Sequence, residues 1–318
     1  MECAIVLAKR GMRRVHMVEA EDQLGGALRW ITRLPGLGEW ARVINYRQIQ
    51  LDKLRNAEVI LGKRLTAQEI SEYGAEIVVL ATGSSWVADG LSSATMSTLP
   101  GADASQPNQL TPEQLMVDEK PVPGEHVVVL DFEGYFMGVS LAERLAIEGK
   151  RVTIVTQFAT PAPMMEGTLE APRMLTRLHS LGVDWIGHHV PIRIEDDSVV
   201  VANSFDAVGR ERKLESDAVI LCTGRRSNDA LFVELKHEFG MGALEANGIS
   251  GLYRIGDCEA PRTIADCIFD GHRLAREIDS DDPSTPLPFV RERSWITVSP
   301  SGDVADRAQS AAPSGVVG

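Results

Sequence analysis

Ala75-Glu-Ile-Val-Val-Leu-Ala-Thr-Gly83 and Ser216-Asp-Ala-Val-Ile-Leu-Cys-Thr-Gly224 share one form: a short apolar run, rich in β-branched residues, that closes on Thr-Gly. Upstream of each lies a second matched pair. Lys9-Arg-Gly-Met-Arg-Arg-Val-His-Met-Val-Glu19 and Ile147-Glu-Gly-Lys-Arg-Val-Thr-Ile-Val-Thr156 both read as a helix end, a glycine and a strand. Such a repeat marks two related α/β units. Val127–Leu130 and Val152–Val155 carry no polar alternation, as strands of a parallel sheet covered on both faces require.

Reading outward, the first unit is a helix over 1–10, a strand over 15–18, a helix over 37–54 and strands over 58–61 and 77–81. A polar stretch from Ser84 to Gly124 then crosses to the second unit. That unit reads as a strand over 127–130, a helix over 138–148, a strand over 152–155 and a helix over 169–181. A β-meander near 184–214 and a strand over 218–222 complete it. Leu252–Ile255 returns to the first unit, and Ile264–Ile278 covers it as a helix. The expected fold is α/β, with two Rossmann-like domains of the FAD/NAD(P)-binding type, the second inserted into the first. The expected boundaries are 1–107 with 251–298, then 108–250, and a disordered tail over 299–318, which is rich in Ser, Ala, Gly, Pro and Asp.

The 318 residues are 44% hydrophobic and carry a net charge of -13. No basic face is available for phosphates, so no nucleic acid or anionic membrane is expected as a partner. Cys3, Cys222, Cys258 and Cys267 form no Cys-x-x-Cys pair, which argues against a redox disulfide and a metal or iron–sulfur centre. No apolar run spans a bilayer, and Met1–Arg10 lacks the marks of a signal peptide. A cytoplasmic protein is expected.

A dinucleotide fold needs a glycine-rich turn after its first strand and an acidic residue closing its second. Glu19 fits the acidic position. The glycine turn of the first unit has no counterpart in the chain, which reads as beginning after the first strand. In the second unit the turn falls on Glu133, Tyr135 and Gly138, so only the helix-packing glycine is kept, and Thr156 stands at the acidic position. NAD(P)H is therefore not expected. Gly25 and Gly26 fit backbone lying close to a nucleotide, or an ordinary loop. Thr82, Gly83, Gly256 and Asp257 fit the ligand-bearing edge of the sheet. Asp257 suits hydrogen bonds from ribitol or ribose hydroxyls, or a plain helix N-cap. His188-His189 reads as a loop pair, and Trp30, Trp40 and Trp185 as core. No catalytic residue and no metal ligand is expected.

Leu24-Gly-Gly-Ala-Leu28, Leu34-Pro-Gly-Leu-Gly-Glu-Trp40, Tyr135-Phe-Met-Gly-Val-Ser-Leu-Ala-Glu143 and Ile255-Gly-Asp-Cys-Glu-Ala-Pro-Arg262 resemble the C-terminal nucleotide-binding region of the trimethylamine/dimethylamine dehydrogenase family. The chain is more distantly similar to histamine dehydrogenase and 2,4-dienoyl-CoA reductase. The likeness runs from residue 1 to about 298. It implies ADP, or FAD as in the reductase relatives, in the first unit, with Glu19 on the ribose, Gly25 and Gly26 along the nucleotide and Leu65 on the adenine. It further implies FMN and a [4Fe-4S] cluster confined to a TIM-barrel portion outside this chain. Electrons would pass to an electron-transferring flavoprotein. The barrel portion or subunit and that flavoprotein are the expected partners, and a homodimer of the parent is left open. The chain alone is expected to be inactive. A stand-alone FAD-dependent NAD(P)H oxidoreductase and a non-catalytic ADP-binding module are the competing readings.

Overall fold

In a computed structural model, residues 1–206, 208–287, 297–298 and 304–305 are described. The chain begins with α1 (Glu2–Lys9), β1 (Val15–Val18), α2 (Leu28–Ile31), α3 (Ala41–Asp52), β2 (Ala57–Ile60), α4 (Ala67–Glu72), β3 (Ile77–Leu80) and β4 (Ser84–Trp86). It continues with β5 (Gln109–Leu110), α5 (Pro112–Met116), β6 (His126–Asp131), α6 (Phe136–Ile147), β7 (Arg151–Thr156), α7 (Ala171–Ser180) and β8 (Asp184–Ile186). After these come β9 (His189–Glu195), β10 (Ser198–Asn203), β11 (Glu211–Glu215), β12 (Ala218–Cys222) and β13 (Arg225–Ser227). Then follow α8 (Ala230–Glu234), α9 (Gly240–Ala246), β14 (Gly251–Arg254), α10 (Ile264–Glu277), β15 (Thr297–Val298) and β16 (Val304–Ala305).

The helix starts are written locally. Thr66 with Glu69, Thr111 with Gln114 and Thr263 with Asp266 form capping boxes at α4, α5 and α10, each satisfying two otherwise unpaired donors. Pro112 adds a preset φ at the start of α5.

The centre is a parallel sheet of five strands in the order β5-β12-β6-β7-β8. Successive residues of β6 face opposite sides. Val127 and Val129 join a core with Leu141, Leu145 and Leu178 from α6 and α7. Val128 and Leu130 join a second core with Val199, Val201 and Leu214 from the antiparallel β9-β10-β11 sheet. Both faces are covered, which is why Val127–Leu130 are apolar without alternation. The predicted meander is therefore shorter than expected: Asp184–Ile186 pairs parallel with β7 and belongs to the central sheet.

The flanking part is built differently. β1 pairs parallel with β2, and β3 pairs parallel with β14, as two separate two-stranded sheets. α1 lies over both: Ile5 packs with Leu24 and Leu51, while Cys3 and Val6 pack with Ile255, Leu274 and Ile278. Gly271 of α10 lets that helix approach α1, since a Cβ there would stand 3.4 Å from the Cys3 nitrogen. β4 and β13 pair antiparallel, and these two strands carry the chain out to the central sheet and back.

The expectation of two Rossmann-like, FAD/NAD(P)-binding domains with a missing first strand is corrected by this arrangement. A dinucleotide fold is one continuous parallel sheet with an open glycine turn at its switch point. Among the described residues only the central sheet is parallel over more than two strands, and its turn after β6 is filled by side chains. The tail expected from Ser299 lies outside the described residues, apart from Val304–Ala305.

Candidate functional site

The C-terminal ends of β3 and β14 lie side by side, with Arg254 in register with Leu80. This brings together four of the residues singled out from the sequence: Thr82, Gly83, Gly256 and Asp257. Thr82 Oγ1 donates to the Asn228 carbonyl at 2.5 Å, and the Gly83 carbonyl accepts from the Asn228 N–H at 2.9 Å. Gly256 sits at φ +62, where glycine is favoured, and its N–H donates to Asp270 Oδ2 at 2.7 Å. Asp270, buried on α10, also pairs with Arg262 and Arg273.

Asp257 is fully engaged by protein donors. Its Oδ2 accepts from Ser84 Oγ at 2.7 Å and Arg225 Nη1 at 2.5 Å. Its Oδ1 accepts from the Arg262 N–H at 2.8 Å and Cys267 Sγ at 3.1 Å. The N-cap alternative does not hold, because Thr263 caps α10. Burial, then the contact with Asp257, pushes the Cys267 thiol up to about 12.

Arg225, just beyond the Thr-Gly of the repeat, joins this edge to the central sheet. Its Nη2 lies 2.8 Å from Glu133 Oε1, it donates to the Arg262 carbonyl at 2.9 Å, and it stacks 5.7 Å from the Trp86 ring. These are charge-assisted contacts made mostly out of water, with only 19% of the Arg225 and Glu133 side chains and 17% of the Asp257 side chain exposed. Burial raises the Glu133 carboxyl above its ordinary range, and Arg225 opposes that shift. The Trp86 N–H donates to Glu113 Oε1 at 3.1 Å, and Glu113 is likewise raised by burial.

Asp131 ends β6 in register with Cys222 of β12 and Thr156 of β7. It is wholly buried and meets the N–H groups of Gly134 and Ala162 at 3.3 and 3.4 Å. Desolvation pushes its carboxyl up to about 7, and the Glu133 charge adds to the effect. Cys222, also fully buried, is raised well above the ordinary thiol value.

The other four sequence candidates lie elsewhere. Glu19 closes β1: its N–H donates to the Ile60 carbonyl, and its Oε1 accepts from the Glu21 N–H at 3.1 Å. Gly25 sits at φ +123, with Ile44 Cδ1 only 2.7 Å from where a Cβ would stand; Gly26 sits at φ +51. Beside this turn is a cleft of about 360 Å³ lined by residues that include Asp22, Gln48 and Asp52. Leu65 packs on the cluster containing Ala67, Ile70 and Leu80. Trp30, Trp40 and Trp185 pack against the central core. His189 Nδ1 lies 2.7 Å from the Gly187 carbonyl, and the His188 ring sits against Phe205. Among the described residues no group of three or more His, Cys, Asp or Glu side chains could hold a metal.

The residues fit an adenine dinucleotide poorly. Asp257, expected to receive cofactor hydroxyls, already accepts four protein donors, and the Glu133–Arg225 pair occupies the turn where a diphosphate would lie.

Residues 110–225 match the family of the OYE-like second alpha/beta domain, the class that the central sheet defines. The chain is homologous to dimethylamine dehydrogenase and histamine dehydrogenase. It is 42% identical to dimethylamine dehydrogenase of Hyphomicrobium sp. (strain x), covering 93% of this chain and 42% of that protein. The structure of histamine dehydrogenase from Rhizobium sp. 4-9 superposes with a TM-score of 0.85 at 35% identity, over 93% of this chain and 45% of that one. That of 6-hydroxypseudooxynicotine amine oxidase from Pseudomonas geniculata N1 gives 0.81 at 33% identity, over 88% and 40%. The chain spans less than half the length of the curated relatives it matches.

The homology to amine dehydrogenases stands, but the matched unit is an OYE-like α/β domain in place of the C-terminal nucleotide-binding region expected. The cofactor expectation is corrected with it. ADP or FAD in the first unit does not stand, nor does the division that confined FMN and [4Fe-4S] to a part beyond this chain. The ADP-binding and Rossmann descriptions fall for the same reason.

Proposed function

We propose that this chain is the OYE-like α/β part of an amine dehydrogenase-like oxidoreductase that oxidises a CH–NH bond and passes its electrons to an electron-transferring flavoprotein. The observation that carries the reading is the 42% identity to dimethylamine dehydrogenase over 93% of the chain. The role of these residues is to hold shape. Arg225, Asp257 and Asp270 fix the edge loops, and the buried acids Asp131 and Glu133 fill the β6 turn instead of reacting. The partners proposed are the remainder of an enzyme of the relatives' length and the electron-transferring flavoprotein. A cytoplasmic location is proposed as well; no helix of the described residues is long and apolar enough to cross a membrane, and all four cysteines are free thiols.

The test is an assay of the whole protein with dimethylamine, histamine and sarcosine, using an artificial one-electron acceptor and then an electron-transferring flavoprotein. Amine-dependent reduction of both acceptors is expected. Activity confined to NAD(P)H-driven alkene reduction would overturn the proposal.

A further inference from the structure

The central sheet and the flanking sheets meet at two corners of different chemistry. One is apolar: Ile31, Leu34 and Leu37 share a core with Phe136 and Met137 of α6, and the Trp40 ring meets Phe136 edge-on at 4.8 Å. The other is ionic and sits on the crossing strands themselves. Arg225, on β13, holds Glu133 of the turn after β6 with one guanidinium nitrogen and Asp257 of the flanking part with another. Ser84 on β4 donates to the same Asp257 oxygen, and the Trp86 ring lies beside the guanidinium.

We propose that Arg225 is the latch of this junction: its charge holds the Gly256–Arg262 turn against the β6 turn, and without it the ionic corner opens while the apolar corner stays packed. The reason is the charge count. Remove the guanidinium and two mostly buried carboxylates face each other, with the repulsion that Asp257 already exerts on Glu133 no longer offset. The nearby cation Arg262 is committed to Asp270. The apolar corner contains none of these groups. The crossing strands pair over only three residues each, so they resist opening weakly.

Hydrogen exchange on the whole protein tests this. In Arg225→Met, amides at the ionic corner should exchange at least ten-fold faster. These are Trp86 and Val87, Asn228, and Arg262, whose N–H is held by Asp257. Val128–Leu130 in the central strand should stay within two-fold of the wild type. The charge-free variant E133Q/R225M/D257N should return the corner to within about three-fold of the wild type. A single variant that fails to fold while the triple variant folds supports the latch equally. The proposal is overturned if Arg225→Met leaves the corner unchanged. It is equally overturned if exchange rises throughout the central sheet, or if the triple variant exchanges as fast as the single one, since the loss is then one of packing and not of charge.

Discussion

Gly138 and Asp131 stand so close that a Cβ on the glycine would lie 2.8 Å from the aspartate's Cβ, Cγ and Oδ1. The first turns of α6 are thereby pressed onto the end of β6, and the one glycine kept from the expected phosphate turn serves packing. Gly138→Ala should cost about 1–3 kcal/mol, as overpacking of a rigid core does. Gly242→Ala, at a helical position with nothing within 4 Å of a Cβ, should not destabilise. Urea unfolding of both variants decides. Equal midpoints would show that Asp131 can move aside.

Asp131→Asn should change how stability depends on pH. The native carboxyl titrates at about 7 against an ordinary 3.8, so the native state holds the proton longer than the unfolded chain. Between these values the unfolded chain binds fewer protons, and wild-type stability falls as pH rises. Relative to the variant, the wild type should lose about 4 kcal/mol between pH 4 and 7 and no more above that, at roughly 1.4 kcal/mol per pH unit. Denaturation midpoints of both proteins from pH 4.5 to 8 measure the difference, and a constant gap would refute the buried neutral acid.

Glu133→Ala should destabilise by about 1–3 kcal/mol, less than full loss of a buried pair because Arg225 keeps Asp257. Glu58→Ala removes an exposed carboxylate 3.7 Å from His16 and should stay within about 0.5 kcal/mol of the wild type. Comparing the two by thermal melting separates a structural charge from a surface one.

Thr263→Ala should cost about 1 kcal/mol, the usual loss at an N-cap. The hydroxyl that accepts from the Asp266 N–H would go, while the backbone N–H at 263 can still donate to the Asp266 carboxylate. Thr263→Ser keeps the hydroxyl and should retain most of the stability. If Ser proves as damaging as Ala, the methyl group and not the cap carries the effect.

Much of the secondary structure was legible because its causes are local. The strands at 15–18 and 218–222 fall where their apolar runs predict. The last long helix begins at Ile264, where the Thr263–Asp266 box sets its first turn. Thr82, Gly83, Gly256 and Asp257 were legible as one edge, because a residue following a parallel strand must emerge at its C-terminal end. The placement of Asp184–Ile186 was not legible, since a three-residue strand looks the same beside an antiparallel hairpin as beside a parallel neighbour.

The sequence by itself determined the alternation of strands and helices, the buried apolar faces, the helix caps and the loss of an open glycine turn after β6. Only the tertiary structure decided that the flanking strands form two separate pairs and that β4 and β13 meet. It alone showed that Arg225 joins Glu133 to Asp257. Periodicity and capping act over a few residues and can be read along the chain. A salt bridge among residues far apart in sequence, or the absence of a hydrogen bond between two strands, exists only after the chain has folded back on itself.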